Sequence, residues 1–343
     1  MTEKFSATLV EAGYAVTVIG FGASTLVPDH VTALPLGHFP RLSLRRYKAR
    51  WRVLRMAFRS RADVFIFSTY ELIFPALLLK VILGTRIIYD VRENYYRNIR
   101  HSEGLPALLR WPLAVAARAV EKITAPAIDH FLLAEAAYDK EFRFHRGGYT
   151  VVENKALSIA KTMRPGGLNL LFSGTLSQST GVFRALALAK KLREFTDEVT
   201  LTVAGYAASP ALQKQIRAEA EGHDYIRLVG IDTLVPHTRI RELTATADAG
   251  IIAYPQFPHT SGAVPTKLFE YLQASLPILT EAHWPWIARF SACDPFVMVD
   301  FDSPDAPAIV EALRNHRFYT RQASDASWST EAPKLLKAVK FTV

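Results

Sequence analysis

The residues best suited to chemistry lie in a short segment that runs from Pro265 to Pro277. A loop of small residues precedes it, so a helix that begins at Pro265 or Thr266 would present free backbone N–H groups, which favour a diphosphate. Lys267 adds a positive charge in the first helical turn, and Glu270, one turn later, can accept two hydrogen bonds from vicinal hydroxyl groups. The segment therefore predicts a site for a phosphorylated ligand that carries hydroxyl groups.

A simpler interpretation of this segment needs no ligand. Leu268, Phe269 and Leu272 have the spacing of a buried helix face. In that case the polar side chains from Lys267 to Tyr271 are merely solvated. The sequence of the segment alone leaves both interpretations open.

Glycines follow predicted strands at three further places, where backbone groups could meet a ligand. Gly174 and Thr175 end one strand, Gly205 follows the next, and Gly230 with Ile231 follows the third. Each of these glycines could equally serve a plain turn.

A second signal is the stretch from Arg41 to Arg61, which holds nine basic residues and no acidic one. Apolar side chains recur in it at intervals of three and four residues: Leu44, Tyr47, Trp51, Leu54 and Phe58. This pattern is typical of a basic amphipathic helix on an anionic leaflet. The residues expected to meet the membrane are Arg45, Arg46, Trp51, Arg52 and Arg59. An ordinary surface helix with its apolar stripe in the core fits as well, whereas nucleic acid fits poorly because no recognition motif accompanies the charge.

Length and charge indicate the number of domains and the kind of partner. The chain has 343 residues and a net charge of +9, and two domains are expected at this length. Residues 1–157 hold 22 basic and 14 acidic residues, so nearly all of the positive excess lies in the first half. This asymmetry predicts an anionic partner there.

Cysteine usage and hydropathy exclude several protein classes. The single cysteine, Cys293, rules out an internal disulfide framework and a cysteine-based metal cluster. No secretory signal is visible, and the longest apolar run, residues 72–83, is interrupted by Pro75 and Lys80 and is too short to span a bilayer. We therefore expect a cytoplasmic protein that is peripheral to a membrane.

Strand-like runs alternate with helix-period segments almost throughout, which is typical of parallel, doubly wound α/β sheets. The predicted strands are residues 15–20, 63–67, 86–89, 130–133, 150–152, 168–173, 199–204, 226–229, 249–253, 277–279 and 296–299. The predicted helices are residues 3–12, 46–62, 70–83, 105–123, 182–194, 211–221, 240–246, 267–274 and 307–315. A Pro-Gly-Gly break at 165–167 predicts two domains, residues 1–160 and 161–318, and a C-terminal helix within 319–343 that packs back toward the first.

Several segments resemble the family-4 retaining glycosyltransferases. PTKLFEYLQASLP at 265–277 resembles their P-x-K-x-x-E-Y-x-A-x-G-x-P signature, with Gln273 and Ser275 in place of its alanine and glycine. NLLFSGTLSQSTG at 169–181 resembles the strand and glycine turn that open their donor domain. VVENK at 151–155 and IYDVRE at 88–93 resemble motifs of their N-terminal domain, and the matches follow the family's order over about residues 10–340.

The resemblance implies a GT-B fold, in which two Rossmann-like, doubly wound parallel-sheet domains face each other across a cleft. Such an enzyme would transfer a sugar from a UDP- or GDP-sugar to a glycan or lipid-linked acceptor, with retained configuration and without a metal or other cofactor. Helix-start amides and a cationic side chain would stabilise the departing phosphate. Together with the basic stretch from Arg41 to Arg61, the resemblance predicts that the protein acts at the inner face of the plasma membrane. The sequence does not indicate an oligomeric state.

The resemblance also implies roles for individual residues. Lys267, Glu270 and Arg184 would carry catalysis, with Glu270 on the ribose hydroxyls and the nucleobase near Gly230 and Ile231. The donor would lie against Gly174, Thr175, Gly205, Gly230, Ile231, Gly262, Ala263, Val264 and Thr266. The acceptor side would include Ser68, Arg92, Glu93 and Asn154.

The chain departs from the family at several of these positions. Gly262 stands where the family usually has an acidic residue, and Thr175 and Thr180 stand where an arginine and a lysine usually hold the diphosphate. Arg184 and Lys267 are the nearest cationic substitutes. The helix at residues 3–12 also lacks the preceding strand with which the family begins.

Other functions stay open because of these departures. One is a non-catalytic GT-B subunit that scaffolds an assembly, and another is a nucleotide-sugar 2-epimerase, which has no need of an arginine-rich membrane face. Asp300 and Asp302 match the D-x-D motif of metal-dependent glycosyltransferases. Because they precede Pro304 and a helix, a role in a turn and in helix capping accounts for them without a metal. The histidines show no zinc spacing, and no metal site is expected.

Overall fold

The computed structural model describes residues 1–21, 28, 30–37, 44–102, 105–145, 148–162, 168–256 and 264–342. The chain divides into two compact units, of which unit 1 comprises Met1–Asn154 with Ser329–Val343 and unit 2 comprises Lys155–Trp328. Each unit is built of parallel strands and helices, so the prediction of two Rossmann-like α/β domains is confirmed. The cleft that the resemblance implies stays a prediction.

Unit 1 alternates strands and helices. Its strands are β1 (Thr17–Phe21), β2 (Thr32–Leu36), β3 (Val64–Phe67), β4 (Arg86–Val91), β5 (His130–Leu133) and β6 (Tyr149–Val151). Its helices are α1 (Thr2–Glu11), α2 (Leu44–Ser60), α3 (Ile73–Leu83), α4 (Tyr95–Arg100), α5 (Ala107–Thr124) and, from the end of the chain, α12 (Ala332–Thr342). Helix α12 packs against α1 and β6.

The described strands of unit 1 form two parallel sheets, β1 with β2 and a four-stranded sheet in the order β3-β4-β5-β6. The core lies on β4 and β5, where the ring of Tyr89 stacks on Phe67 at 5.0 Å and meets Phe131 at 5.9 Å. Strand β2 was not predicted because it contains Pro35, and proline usually disqualifies a run as a strand. It is tolerated here because, among the strands that the structure describes, β2 pairs with β1 alone and has a free edge.

In the described ranges, unit 2 has the strands β7 (Leu168–Leu176), β8 (Val199–Ala207), β9 (Ile226–Ile231), β10 (Ala249–Ile252), β11 (Ile278–Thr280) and β12 (Phe296–Met298). Its helices are α6 (Val182–Phe195), α7 (Pro210–Ala220), α8 (His237–Thr246), α9 (Thr266–Gln273), α10 (Pro285–Phe290) and α11 (Ala306–Asn315). The strands are parallel and ordered β12-β11-β10-β7-β8-β9. From β7 the chain continues through β8 to β9 at one edge of the sheet, and from β10 it continues through β11 to β12 at the other edge.

This reversal places helices on both faces of the sheet, because parallel crossovers are right-handed. One apolar cluster joins the sheet to α6, α7 and α11, and a second joins it to α8, α9 and α10. Among the described residues no helix is both long and apolar enough to cross a bilayer.

Candidate functional site

The carboxyl ends of β7 and β10 mark the place where unit 2 is expected to bind a ligand. The two strands are neighbours, yet their onward connections run to opposite sides of the sheet. Open parallel sheets bind ligands at such a switch point. Gly174 lies at this end of β7, and α9 follows β10 in the chain.

Three of the predicted glycines form a row across this edge. Gly174, Gly205 and Gly230 are register partners on β7, β8 and β9. Gly174 has φ +104°, which favours glycine, and a Cβ on Gly205 would lie 1.8 Å from the carbonyl oxygen of Gly174. Strand packing therefore requires the row, in which Gly174 is exposed, Gly230 is half-buried and Gly205 is buried. Thr175 and Ile231 follow two of these glycines.

Lys267 lies in the first turn of α9 and points into an apolar pocket beside Gly174. Its side chain is buried, with Nζ 3.9 Å from the ring centroid of Phe172 and 5.2 Å from that of Tyr254. Nζ has no hydrogen-bond partner among the described residues. Burial lowers the pKa of Lys267 to about 7, and the Glu270 carboxylate only partly opposes this shift. A buried cation without an acceptor is suited to bind an anionic ligand.

Helix α9 is held against β7 by Tyr271. The Tyr271 hydroxyl lies 3.0 Å from Oγ of Ser173 and donates to the carbonyl oxygen of Leu171 at 3.2 Å. The ring lies where Gly250 of β10 has no side chain, since a Cβ there would be 2.3 Å from the ring. This contact sets the position of Lys267 along the strand ends.

Glu270 lies one turn after Lys267 and is also buried. Its Oε1 lies 2.8 Å from Nε2 of His237, the first residue of α8. Because an ionised carboxylate only accepts hydrogen bonds, His237 donates here. Burial and the Glu270 charge together raise the pKa of Tyr254 to about 12, so the tyrosine stays a neutral hydroxyl. The carboxylate therefore lies beside two groups that the sequence analysis did not single out.

The simpler interpretation of α9 is wrong in one respect. Leu268, Phe269 and Leu272 are buried, as that interpretation holds, but Lys267 and Glu270 are buried with them rather than solvated. An amphipathic helix that only covers a core would leave these two charges in water. Their burial in the first two turns is the feature that calls for a ligand.

Arg184, the third predicted catalytic residue, lies in α6 and is already paired. Its guanidinium donates to both carboxylate oxygens of Glu281, at 2.7 and 3.0 Å, and to Asp302 at 3.1 Å. It also packs over the ring of Phe301. Two carboxylates thus neutralise its charge, which leaves Lys267 as the stronger candidate for a phosphate.

The predicted acceptor residues lie in unit 1, at the carboxyl ends of its strands. Ser68 and Arg92 meet at the buried Asp90, whose Oδ2 accepts from them at 3.1 and 2.5 Å. Glu93 is exposed and accepts from Asn98 of α4 at 2.9 Å. Asn154 is half-buried after β6. The structure therefore brings only Ser68 and Arg92 together.

One more group at this edge was not predicted. Glu135 follows β5, and burial raises the pKa of its carboxyl to about 7, with Arg97 opposing the shift. No sequence pattern marks this residue, and two of the charges that act on its pKa, Arg97 and Glu153, are distant in sequence.

The remaining predicted donor residues lie around the start of α9. Val264 and Thr266 are half-buried, whereas Gly262 and Ala263 lie outside the described residues. Asp300 forms the predicted turn, since its Oδ1 accepts from the backbone N–H groups of Asp302 and Ser303 at 3.0 and 3.3 Å. Within the described ranges, no group of three or more His, Cys, Asp or Glu side chains has metal-binding geometry.

The predicted membrane residues lie on α2. Arg45, Arg52 and Arg59 are exposed, as is Trp51, and the side chain of Arg46 lies outside the described residues. Of the apolar stripe, Trp51 and Phe58 are exposed and Leu54 is half-buried, while the side chains of Leu44 and Tyr47 lie outside the described residues. The buried side chains in the described part of this helix are Ala49, Val53 and Ala57.

Comparison with known proteins identifies the fold. No protein-family profile and no curated protein sequence matches the chain. Among solved structures, a sucrose-phosphate synthase from Thermosynechococcus elongatus is similar with a TM-score of 0.71 and 12% identity, over 99% of this chain and 92% of that one. HepE of Anabaena, solved in complex with UDP-glucose, is similar with a TM-score of 0.66 and 13% identity, over 98% of this chain and 94% of that one. A Listeria monocytogenes protein assigned as a UDP-N-acetylglucosamine 2-epimerase is similar with a TM-score of 0.59 and 11% identity, over 99% of this chain and 92% of that one. The chain has the GT-B fold.

Replacing Gly205 with alanine tests the glycine row. Because the new Cβ would lie 1.8 Å from a backbone oxygen, we expect Gly205→Ala to lower the free energy of unfolding of unit 2 by about 3 kcal/mol. Urea denaturation followed by fluorescence of the buried Trp284 and Trp286 measures this loss. Gly20→Ala in unit 1 is the control, since its Cβ meets nothing within 4 Å, and the unfolding of both variants is also followed by circular dichroism. Equal effects of the two substitutions would contradict the packing argument.

Replacing Lys267 with methionine tests the burial of the unpaired cation. The lysine pKa is lowered from 10.5 to about 7 in the folded chain, so the charged form destabilises the fold at and below neutral pH. As the pH rises from 7 toward 10.5, the folded state releases the proton before the unfolded state does, and this penalty disappears. We expect Lys267→Met to stabilise unit 2 by on the order of a few kcal/mol at pH ~7 and less at pH ~9.

Denaturation at the two pH values measures the effect, with Lys214→Met as the control because Lys214 is an exposed lysine of the same unit. A Lys267→Met variant that is less stable at neutral pH would show that the ammonium is satisfied where it lies.

Proposed function

We propose that this protein is a glycosyltransferase that takes its sugar from a nucleotide-sugar donor bound in unit 2. The observation that carries the proposal is the buried Nζ of Lys267 beside the glycine row at the switch point, which has no hydrogen-bond partner in the part of the chain that the structure describes. The free N–H groups at the start of α9 and the Lys267 ammonium would hold the diphosphate. They would also stabilise the charge that develops on it as the sugar leaves.

Glu270 would hold the ribose. Its Oε1 is held by His237 at 2.8 Å, which orients the carboxylate and leaves Oε2 to accept from a hydroxyl. The nucleobase would lie by Gly230 and Ile231, at the end of the glycine row. HepE, which has the same fold, is solved with UDP-glucose, and this favours a UDP-sugar over a GDP-sugar.

We propose that transfer retains the anomeric configuration and needs no metal ion, as in the family that the α9 segment resembles. Lys267 supplies one positive charge at the phosphates without a metal. Arg184 could supply a second only by leaving Glu281 and Asp302, so we assign it to the structure around β11 rather than to the donor. The acceptor would be a glycan or a lipid-linked sugar, bound in unit 1 near Ser68 and Arg92.

We further propose that the protein works at the inner face of the plasma membrane. The exposed arginines of α2 and the excess of eight positive charges in residues 1–157 support an anionic lipid surface as its partner. A membrane location would bring the site to a lipid-linked acceptor.

A nucleotide-sugar 2-epimerase is the second candidate, favoured by the similarity to the Listeria protein. Both enzymes would bind the same donor in unit 2, so nucleotide binding does not separate them. Incubation with the sugar nucleotide alone does, because an epimerase converts it without an acceptor. A scaffold subunit would bind neither UDP nor GDP, and its melting temperature would not rise with either.

Replacing Glu270 with alanine tests the ribose assignment. Charge-assisted hydrogen bonds contribute about 1.5–3 kcal/mol each, so the affinity for UDP should fall at least about tenfold. Preference for UDP over 2′-deoxy-UDP should be lost as well. Calorimetry measures both, and Glu242→Ala, which removes an exposed carboxylate of α8, is the control. Unchanged UDP affinity in Glu270→Ala would remove Glu270 from the site.

Chelation tests the metal-free assignment. Turnover should survive EDTA, because amide groups and Lys267 carry the phosphate charge. Activity is measured as UDP release with and without the chelator. Loss of turnover that Mn²⁺ restores would instead make Asp300 and Asp302 metal ligands.

A further inference from the structure

The outer helices of unit 1 carry most of the exposed apolar surface. Of the seventeen large apolar side chains that are exposed in the described part of the chain, twelve lie on α2, α3 and α5. Scattered exposed apolar residues are ordinary, but a concentration of this kind marks an interaction surface. The remaining five are spread over other parts of the chain.

Helix α3 presents a wholly apolar outer face. Phe74, Leu78, Val81 and Ile82 are exposed at helical spacing, and Val81 is 83% exposed. The opposite face of the helix supplies the core of unit 1. Neither face is polar, so α3 is not the usual surface helix with one solvated side.

Helix α5 extends the apolar surface at its amino-terminal half. Leu108 is 92% exposed, and Trp111 and Leu113 are also exposed. In this helix burial is limited to Ala114, Ala117 and Glu121, so its first two turns stand clear of the core.

Helix α2 adds charge to the same surface. Trp51 and Phe58 are exposed together with Arg52, Arg55 and Arg59, and all five share one helix face at intervals of three, four and seven residues. Helices α2 and α3 contain no acidic residue, and the single acidic residue of α5 is the buried Glu121. The surface is therefore apolar and positive, with no exposed carboxylate on the three helices.

The three helices lie in one layer. Strands β3, β4 and β5 are consecutive neighbours in a parallel sheet, so right-handed crossovers place α3 and α5 on the same face of that sheet. Helix α2 packs against α3, and α5 packs against residues 70–72 at the start of α3. Their outer sides form a single surface, called the α2–α3–α5 face below.

We infer that the α2–α3–α5 face inserts into one leaflet of an anionic bilayer, with the apolar side chains of α3 and α5 among the acyl chains and the arginines of α2 among the lipid phosphates. The inference deepens the membrane attachment proposed above, because electrostatic adhesion alone would need only the arginines. Interfacial helices that combine tryptophan, aliphatic residues and arginine bury their apolar side about 5–10 Å deep. A protein partner would more naturally match this face with carboxylates and would leave lipid unbound.

Vesicle binding at two salt concentrations separates insertion from adhesion. The full-length protein is mixed with vesicles of phosphatidylcholine and phosphatidylglycerol at low salt and at about 0.5 M salt, where surface charges are screened within a few ångströms. We expect binding to weaken with salt but to persist, because apolar insertion is not screened. Lipids brominated on their acyl chains should quench the exposed Trp51 and Trp111, whereas the other three tryptophans are buried.

Two sets of substitutions separate the apolar contribution to vesicle binding from the electrostatic one. Val81→Gln, Ile82→Gln, Leu108→Gln and Trp111→Gln, combined, should reduce binding at high salt at least about tenfold, because four apolar side chains leave the acyl region. Arg45→Gln, Arg52→Gln and Arg59→Gln, combined, should mainly weaken binding at low salt. Phe195→Gln with Met298→Gln, which removes two exposed apolar residues of unit 2, should change neither.

Three outcomes would overturn the inference. One is complete release of the unmodified protein by salt together with no quenching by brominated lipid. Another is unchanged high-salt binding of the four-residue apolar variant. The third is a dimer in solution that this variant dissociates, without any vesicle binding, since the face would then join two copies of the chain. The rise in melting temperature with UDP, measured without lipid, is independent of these results and reports on the donor site alone.

Discussion

A positive charge buried without an acceptor is the constraint around which unit 2 is arranged. Moving an ammonium group out of water is unfavourable unless a partner compensates it. Lys267 has aromatic rings within 3.9 and 5.2 Å and no hydrogen-bond acceptor among the described residues. The fold keeps this group in an unfavourable state, and an anionic ligand would relieve it. Preorganised charge of this kind is what stabilises a departing phosphate.

The surrounding elements hold that charge in place. Tyr271 fixes α9 to β7 and fills the space that Gly250 leaves open, so the helix cannot slide without losing both contacts. The glycine row lets the ends of three strands approach each other closely, because a side chain at Gly205 or Gly230 would meet the neighbouring backbone. Glu270 follows Lys267 by one turn on the same helix, and His237 holds it from α8. The charge, its anchor and the glycine row therefore come from two helices, α8 and α9, and from the four strands β7 to β10 of one sheet domain.

The sequence allowed the local features to be predicted and left the long-range pairings hidden. Lys267 and Glu270 were found because residues 265–277 resemble a family signature and one helical turn separates the two side chains, and the glycines were found because each follows a strand. The contact of His237 with Glu270 joins residues 33 positions apart, and the pairing of Arg184 with Glu281 spans 97. No spacing rule predicts such contacts. The core-facing side of α2 was also hidden, because Ala49, Val53 and Ala57 are buried there whereas Trp51 and Phe58 are exposed.

Proton uptake on nucleotide binding tests the role of Lys267 most directly. Above pH ~7 the free protein holds Lys267 largely neutral, and a bound diphosphate should return the proton to it. Calorimetric titration with UDP at pH ~8.5, in two buffers of different ionisation enthalpy, should therefore show uptake approaching about one proton per UDP, and none in Lys267→Met. Binding of UDP with the same enthalpy in both buffers, or uptake that persists in the variant, would contradict the account.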